Sequence, residues 1–343
     1  MRRRKARLLV VLAAGALTAA GCGSSSHSSA TTSAPTAAVA TSSAAVTPAA
    51  LDELAAAENP DPTQFPPAQG KTLKQLGALA KASAQLGAAT GTYTPGTRRL
   101  AFGLTTTAGA FIYAPTAIYI ARTPASIAQG PLMAPADPMG VAPQYRSKQN
   151  SGPGGIKAIY ETEISVKQPG TYTILSLTRT PGGLVGAPGE VAVAPSSLIP
   201  DVGQRPPDIA TDTAATVHGD AALLTTRLPP EHMQSASFDR VLGKRPIALL
   251  FSTPQLCISR VCGPVTDIAV ALQHQFGQRV MFIHEEVYVD NQPSKGLRPQ
   301  LKAFHLETEP WLFAINRHGV IAARLEGAFG VNEFTQALRA ALR

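Results

Sequence analysis

The stretch Pro246-Ile-Ala-Leu-Leu-Phe-Ser252-Thr-Pro-Gln-Leu-Cys257-Ile-Ser-Arg-Val-Cys262-Gly263-Pro264-Val265 joins an apolar run, a turn and the opening of a helix. Residues 246–252 do not alternate, which is the pattern of a strand buried on both faces. Residues 263–276 place Val265, Ile268, Ala269, Leu272 and Phe276 on one helical face. Pro264 falls in the first helical turn, where a missing N–H is harmless. Cys257 and Cys262 therefore lie five positions apart between a buried strand and a helix. The chain of 343 residues has only three cysteines, and the third, Cys22, belongs to the N-terminal leader. Two thiols at a strand-to-helix turn point either to redox chemistry or to a local structural disulfide.

Downstream, residues 279–289 read as a second strand and 297–306 as a short helix. Residues 311–316 and 320–326 read as two strands around Arg317-His318-Gly319, a compact hairpin turn. Residues 331–342 form a closing amphipathic helix. The order is βαβαββα.

On these residues, 236–343 resemble a thioredoxin-like domain. The cysteines follow the first core strand at the start of the next helix, where that family places its own. Glu309-Pro310-Trp311 stands where the family has its cis-proline, and Leu325-Glu326-Gly327 leads into the closing helix in a similar way. Upstream, Val202-Gly203-Gln204-Arg205-Pro206-Pro207-Asp208 resembles the entry motif of exported thioredoxin and peroxiredoxin relatives. The resemblance implies an α/β thioredoxin-like fold and thiol–disulfide exchange on exported proteins. Cys257 and Cys262 would be the catalytic pair, and Pro310 would present backbone to partner chains. The motif departs from the family's Cys-Gly-Pro-Cys. Cys262-Gly263-Pro264 matches three positions, but Val265 occupies the fourth, so Cys257 would replace the missing thiol. The Cys-x4-Cys spacing is also loosely similar to the Cys-x3-Cys of exported copper-chaperone relatives.

The thiolate is the attacking species, and its fraction is set by pKa. Cys262 would lie at a helix N-terminus that favours negative charge, with Arg260 adding a nearby cation. Cys262 would attack and Cys257 would resolve, or the reverse if Cys257 is the more exposed. An exported protein meets an oxidising compartment, so the pair is expected as a disulfide at rest. Two other readings stand beside this one. In the first, the disulfide is structural and the protein is a binding or scaffold lipoprotein. In the second, Cys257, Cys262 and His305 form a copper-delivery site, His305 being a better third ligand than His284. His318 is expected to face solvent in its hairpin turn. Asp267 reads as a first-turn acid favoured by the helix dipole. Glu285 and Glu286 are adjacent on a strand and so point to opposite faces. Thr253 is one residue too far from Cys257 for a peroxidase motif. No nucleophile elbow, P-loop or dinucleotide fingerprint is present, and no cofactor is expected.

The N-terminus carries Arg2, Arg3, Arg4, Lys5 and Arg7, then an apolar run over 8–20 that is too short to span a bilayer. Leu17-Thr-Ala-Ala-Gly-Cys22 resembles the bacterial lipobox, which implies lipidation at Cys22 after removal of a signal peptide at 1–21. Residues 22–70, rich in Ser, Thr, Ala and Pro, read as a disordered tether. Residues 71–195 read as a short helix over 71–86 followed by an all-β, immunoglobulin-like sandwich. Its strands fall at 98–106, 109–114, 116–122, 157–166, 168–178 and 190–194, with a long loop at 124–155. Residues 196–235 form a connector. The formal charge is +8, but five of the 30 Lys and Arg lie in residues 1–21, which hold no acid. The mature chain is then near neutral and has no basic cluster interleaved with aromatics, so nucleic acid is not an expected partner. The expected setting is the extracytoplasmic face of the cell membrane, lipid-anchored, with exported thiols and disulfides as partners.

Overall fold

The computed structural model describes residues 53–150 and 155–343. The leader at 1–21, Cys22 and the tether as far as residue 52 lie outside the described residues. Where the tether reading extends into 53–70, the structure corrects it. Helix α1 (Leu54–Ala57) and a 3-10 turn (Pro62–Gln64) are ordered. The Glu53 N–H donates to the Tyr113 carbonyl at 2.6 Å. Ala57, Phe65 and Ala68 are buried, so this stretch has apolar surface enough to offset the entropy of ordering it.

Eight strands follow: β1 (Ala82–Ala88), β2 (Gly96–Thr106), β3 (Thr116–Ala121), β4 (Gln129–Met133), β5 (Ala136–Pro138), β6 (Ala158–Val166), β7 (Gly170–Thr180) and β8 (Gly183–Val193). They run as neighbours in the order β4-β3-β7-β8-β1-β2-β6-β5. All pairings are antiparallel except β1 with β8, where Ala82 and Ser83 pair in parallel with Val185 and Gly186. The sheet folds about β1. One core joins Ile118, Ile120 and Ile174 of one arm to Leu100, Phe102 and Tyr160 of the other. This is a single bent, mixed sheet in place of the expected antiparallel immunoglobulin-like sandwich, because β1 belongs to both arms.

Four local expectations change for the same long-range reason. The helix expected over 71–86 shrinks to α2 (Leu73–Gly77), opened by a capping box between Thr72 and Gln75. Residues 84–88 instead pair with β2, since sheet pairing overrides weak helix preference in a short segment. Residues 109–114 form no strand; Phe111 makes an isolated bridge to Thr105. The loop expected at 124–155 contains β4 and β5, and the strand expected at 190–194 begins at Gly183 because β7 pairs along its whole length.

The connector holds α3 (Ala221–Leu224). Beyond it come α4 (Phe238–Val241), β9 (Ile247–Phe251), α5 (Cys262–Phe276), β10 (Met281–Glu285), α6 (Pro299–Ala303), β11 (Trp311–Ile315), β12 (Ile321–Glu326) and α7 (Val331–Ala341). From β9 onward this is the βαβαββα order read in the sequence. The sheet order is β10-β9-β11-β12, with β9 and β10 parallel and β11 antiparallel to both β9 and β12. Every residue of the central strands β9 and β11 is buried, which explains their unbroken apolar runs.

The two halves share a core that includes Ala101, Met139 and Ile159 beside Leu250, Val265 and Phe334. Polar contacts fix the join. Arg99 makes a two-pronged bridge to Glu333 at 2.5 and 2.6 Å and donates to the carbonyls of Glu326 and Ala328. The Asp137 carboxylate accepts from the N–H groups of Asn332 and Glu333 at the start of α7, where no residue of the helix caps itself with a side chain. Gly327 has φ +69, and a Cβ there would fall 1.6 Å from the Ala89 carbonyl oxygen. Only glycine admits this approach of one backbone to the other.

Candidate active site

β9 delivers the chain to a loop that closes on itself. The Cys257 N–H donates to the Thr253 carbonyl at 3.1 Å, and the Arg260 N–H donates to the Cys257 carbonyl at 3.2 Å. α5 then begins at Cys262, and its N-cap residue Val261 contributes no side-chain cap. Near that helix start the Cys257 sulfur meets the Ser259 hydroxyl at 3.1 Å, and the backbone N–H groups of Val261 and Cys262 help to hold its pKa down. Cys262 opens the helix as the sequence suggested, but the thiol whose pKa is lowered there is that of Cys257.

Both cysteines are free thiols in this structure, so it describes the dithiol form and not the disulfide expected at rest. Cys257 keeps 7% of its surface exposed and Cys262 none. A hydrogen bond from the Cys262 thiol lowers the Cys257 pKa against the opposing effect of burial. The Ser259 hydroxyl, 3.1 Å away, and the two backbone N–H groups add to this and bring it to about 6. Burial pushes Cys262 well above its ordinary value, and donating to a charged Cys257 pushes it further. The pair therefore holds one proton, on Cys262.

A third group completes the site. The two sulfurs and a carboxylate oxygen of Glu309 all lie within 4.8 Å of one another. Burial and the Cys257 charge raise the Glu309 pKa to about 7. Glu309 is joined to the buried Pro310 by a cis peptide bond. In the sequence Glu309 stands out only as the residue before Pro310. Its position beside that proline was the available signal, and the proximity to both sulfurs comes from the return of β11 next to β9.

The other expected residues fall elsewhere. Arg260 is exposed with φ +59, and the leading causes of the Cys257 shift are hydrogen bonds and burial, not its charge. His305 is exposed and lines a separate pocket with Leu297 and Lys302. His284 is buried with both ring nitrogens engaged, Nδ1 with Glu231 at 2.5 Å and Nε2 with Ser252 at 2.8 Å. Burial disfavours its charge, but the Glu231 carboxylate outweighs this and raises its pKa to about 9. Neither histidine is available to the sulfurs. Among the described residues, the group able to hold a metal ion is Cys257, Cys262 and Glu309. His318 is exposed as expected.

Asp267 is corrected from a first-turn acid to a fully buried one. It accepts from Arg227 at 2.9 Å, from the N–H and hydroxyl of Ser147 and from Asn150, which ties the turns before β6 to α5. Glu285 and Glu286 do face opposite ways. Glu285 binds Arg298, and Glu286 binds the N–H and hydroxyl of Thr226.

Reached through Ser259, Val261 and Glu309, the neighbours of the thiols, lies a cleft of about 580 Å3 between the two halves; the cysteines themselves do not line it. Ser259, Val261 and Glu309 line one side, and β1 and β2 line the other.

No family model matches the chain, and no curated relative matches it. One similar solved structure is described as a thiol:disulfide interchange protein, DsbE, from Chlorobium tepidum. It is 14% identical with a TM-score of 0.30, and the match covers 42% of this chain and 99% of that one. At that score the likeness decides nothing about the site, whose reading rests on its geometry.

Proposed function

We propose that this protein carries out thiol–disulfide exchange on exported proteins, with Cys257 as the nucleophile and Cys262 as the resolving thiol in a C-terminal thioredoxin-like unit. The observation that carries this is the unequal pair: a partly accessible Cys257 of low pKa against a buried, protonated Cys262, with the Glu309 carboxyl beside both. Cys257 as thiolate attacks a substrate disulfide. The substrate S–S bond breaks, a Cys257–substrate disulfide forms, and the leaving thiolate takes a proton from neutral Glu309. Cys257 is then uncharged, which removes both its repulsion of a Cys262 thiolate and the hydrogen bond that held the Cys262 proton. Cys262 passes that proton to Glu309 and attacks the Cys257 sulfur. The Cys257–Cys262 disulfide forms and the second substrate thiolate leaves.

The leader-like N-terminus and the lipobox-like sequence ending at Cys22 support export and lipid anchoring at the extracytoplasmic face, which we include in the proposal. Equilibrating the protein with glutathione buffers tests the chemistry. A reduction potential of about −120 to −270 mV supports exchange, whereas a value below about −300 mV marks a structural bridge and rejects it.

A further inference from the structure

Gly87 of β1 and Gly103 of β2 are direct cross-strand partners, and both line the cleft beside the thiols. Neither has a left-handed backbone. A Cβ added at either would meet nothing within 4 Å. Neither conformation nor packing calls for glycine here, although each glycine in a strand interior costs about 0.5–1 kcal/mol. Strand glycines mark a bulge, a tight bend or a place where a ligand or another backbone comes close, and the β1–β2 register runs through this pair without a bulge. β8 pairs with β1 only at Ala82 and Ser83, so among the described residues no strand pairs with 85–88 on the side away from β2. The cleft walls include Leu86, Ala88, Phe111, Ile156 and Val261; among the described residues that line it, the acidic ones are Glu309 and Glu326, and none is Lys or Arg. Its volume of about 580 Å3 lies within the roughly 300–1,000 Å3 of ligand sites.

We propose that this cleft seats the substrate, an extended, uncharged or basic polypeptide segment whose backbone lies over the Gly87–Gly103 pair and brings its sulfur to Cys257. The proposal rests on the exchange reading above and names its substrate class. The β-rich half would then select substrate, and the thiol pair would act on it.

The test uses the reduced protein and a short Val/Thr-rich peptide whose central cysteine is held as a glutathione mixed disulfide. Cys257 attacks the peptide sulfur, the peptide–glutathione bond breaks and the glutathione thiolate leaves to be protonated. Cys262 then displaces the peptide thiolate from Cys257. The dithiol pair loses two electrons and the mixed disulfide becomes two thiols. Gly87→Val and Gly103→Val fill the floor with residues that suit a strand. We expect each to slow the peptide reaction by about tenfold or more, the scale of a blocked contact, while reaction with glutathione disulfide alone keeps its rate and so shows an intact fold and thiol pair. We also expect a Lys-flanked peptide to outrun a Glu-flanked one, with the gap closing in salt. Unchanged peptide rates in the variants, or equal slowing of both reactions, would overturn the cleft assignment. Equal rates for the two flanked peptides would overturn its charge preference. Failure of the wild-type protein to react even with glutathione disulfide would instead reject the exchange reading, and the substrate proposal with it.

Discussion

The sulfurs of Cys257 and Cys262 lie within 4.8 Å of each other, and their interaction holds the Cys257 pKa down while it pushes that of Cys262 up. One thiol is thereby readily ionised and the other held protonated, although both come from one short loop. Their reactivities should differ accordingly.

Alkylation of the reduced protein by iodoacetamide should follow a titration centred near pH 6, the Cys257 value. Cys262→Ala removes the largest stabilising donor and should move that midpoint upward. In Cys257→Ser, the remaining thiol should stay unreactive at neutral pH because burial disfavours its thiolate. A Cys262→Ala midpoint that stays at the wild-type pH would contradict the shared-proton arrangement.

Glu309→Gln removes a carboxyl that titrates at about 7. The Cys257 midpoint near 6 should hold, since the Glu309 carboxyl is still mostly protonated there, whereas the resolving step should slow for want of a proton acceptor. Single-turnover oxidation by glutathione disulfide, followed across neutral pH, should lose its inflection near 7 in this variant. An unaltered pH profile would exclude Glu309 from proton transfer.

The buried Glu231–His284 pair should stabilise the fold over a defined pH range. Burial opposes the Glu231 charge, but His284 brings its pKa from 4.5 down to about 2. This contribution is fully present above 4.5 and is lost as pH falls toward 2. The His284 pKa rises from 6.5 to about 9, so its contribution is fully present below 6.5 and is lost as pH climbs through 9. Both act together between 4.5 and 6.5. Glu231→Gln should lose about 3–5 kcal/mol there, the scale for leaving a buried charge unpaired. Urea denaturation at several pH values would show whether the difference from wild type is greatest in that window or flat.

Asp267→Ala should be strongly destabilising, by about 3–5 kcal/mol, because it strands the buried Arg227 guanidinium. Lys295→Ala breaks an exposed bridge to Asp290 and should change stability by less than about 1 kcal/mol. Denaturation midpoints of the two variants, compared side by side, would test the contrast. Equal effects would mean that burial does not set the value of these pairs.

The sequence by itself determined the C-terminal element order. Unbroken apolar runs mark β9 and β11, and a one-faced apolar pattern marks α5, because burial is imposed locally by strand and helix periodicity. It also placed Cys257 and Cys262 at the strand-to-helix turn. Only the tertiary structure decided which thiol has its pKa lowered, since that depends on how the loop turns between Thr253 and Cys262. The same holds for Glu309, brought to the thiols by the return of β11, and for Asp267, whose partners Ser147, Asn150 and Arg227 all come from distant sequence. Residues 82–86 were legible only as the end of a short helix, and Gly87 as its stop. They form a strand because β2 supplies an edge to pair with, and a segment with little preference of its own takes the structure its neighbours can satisfy.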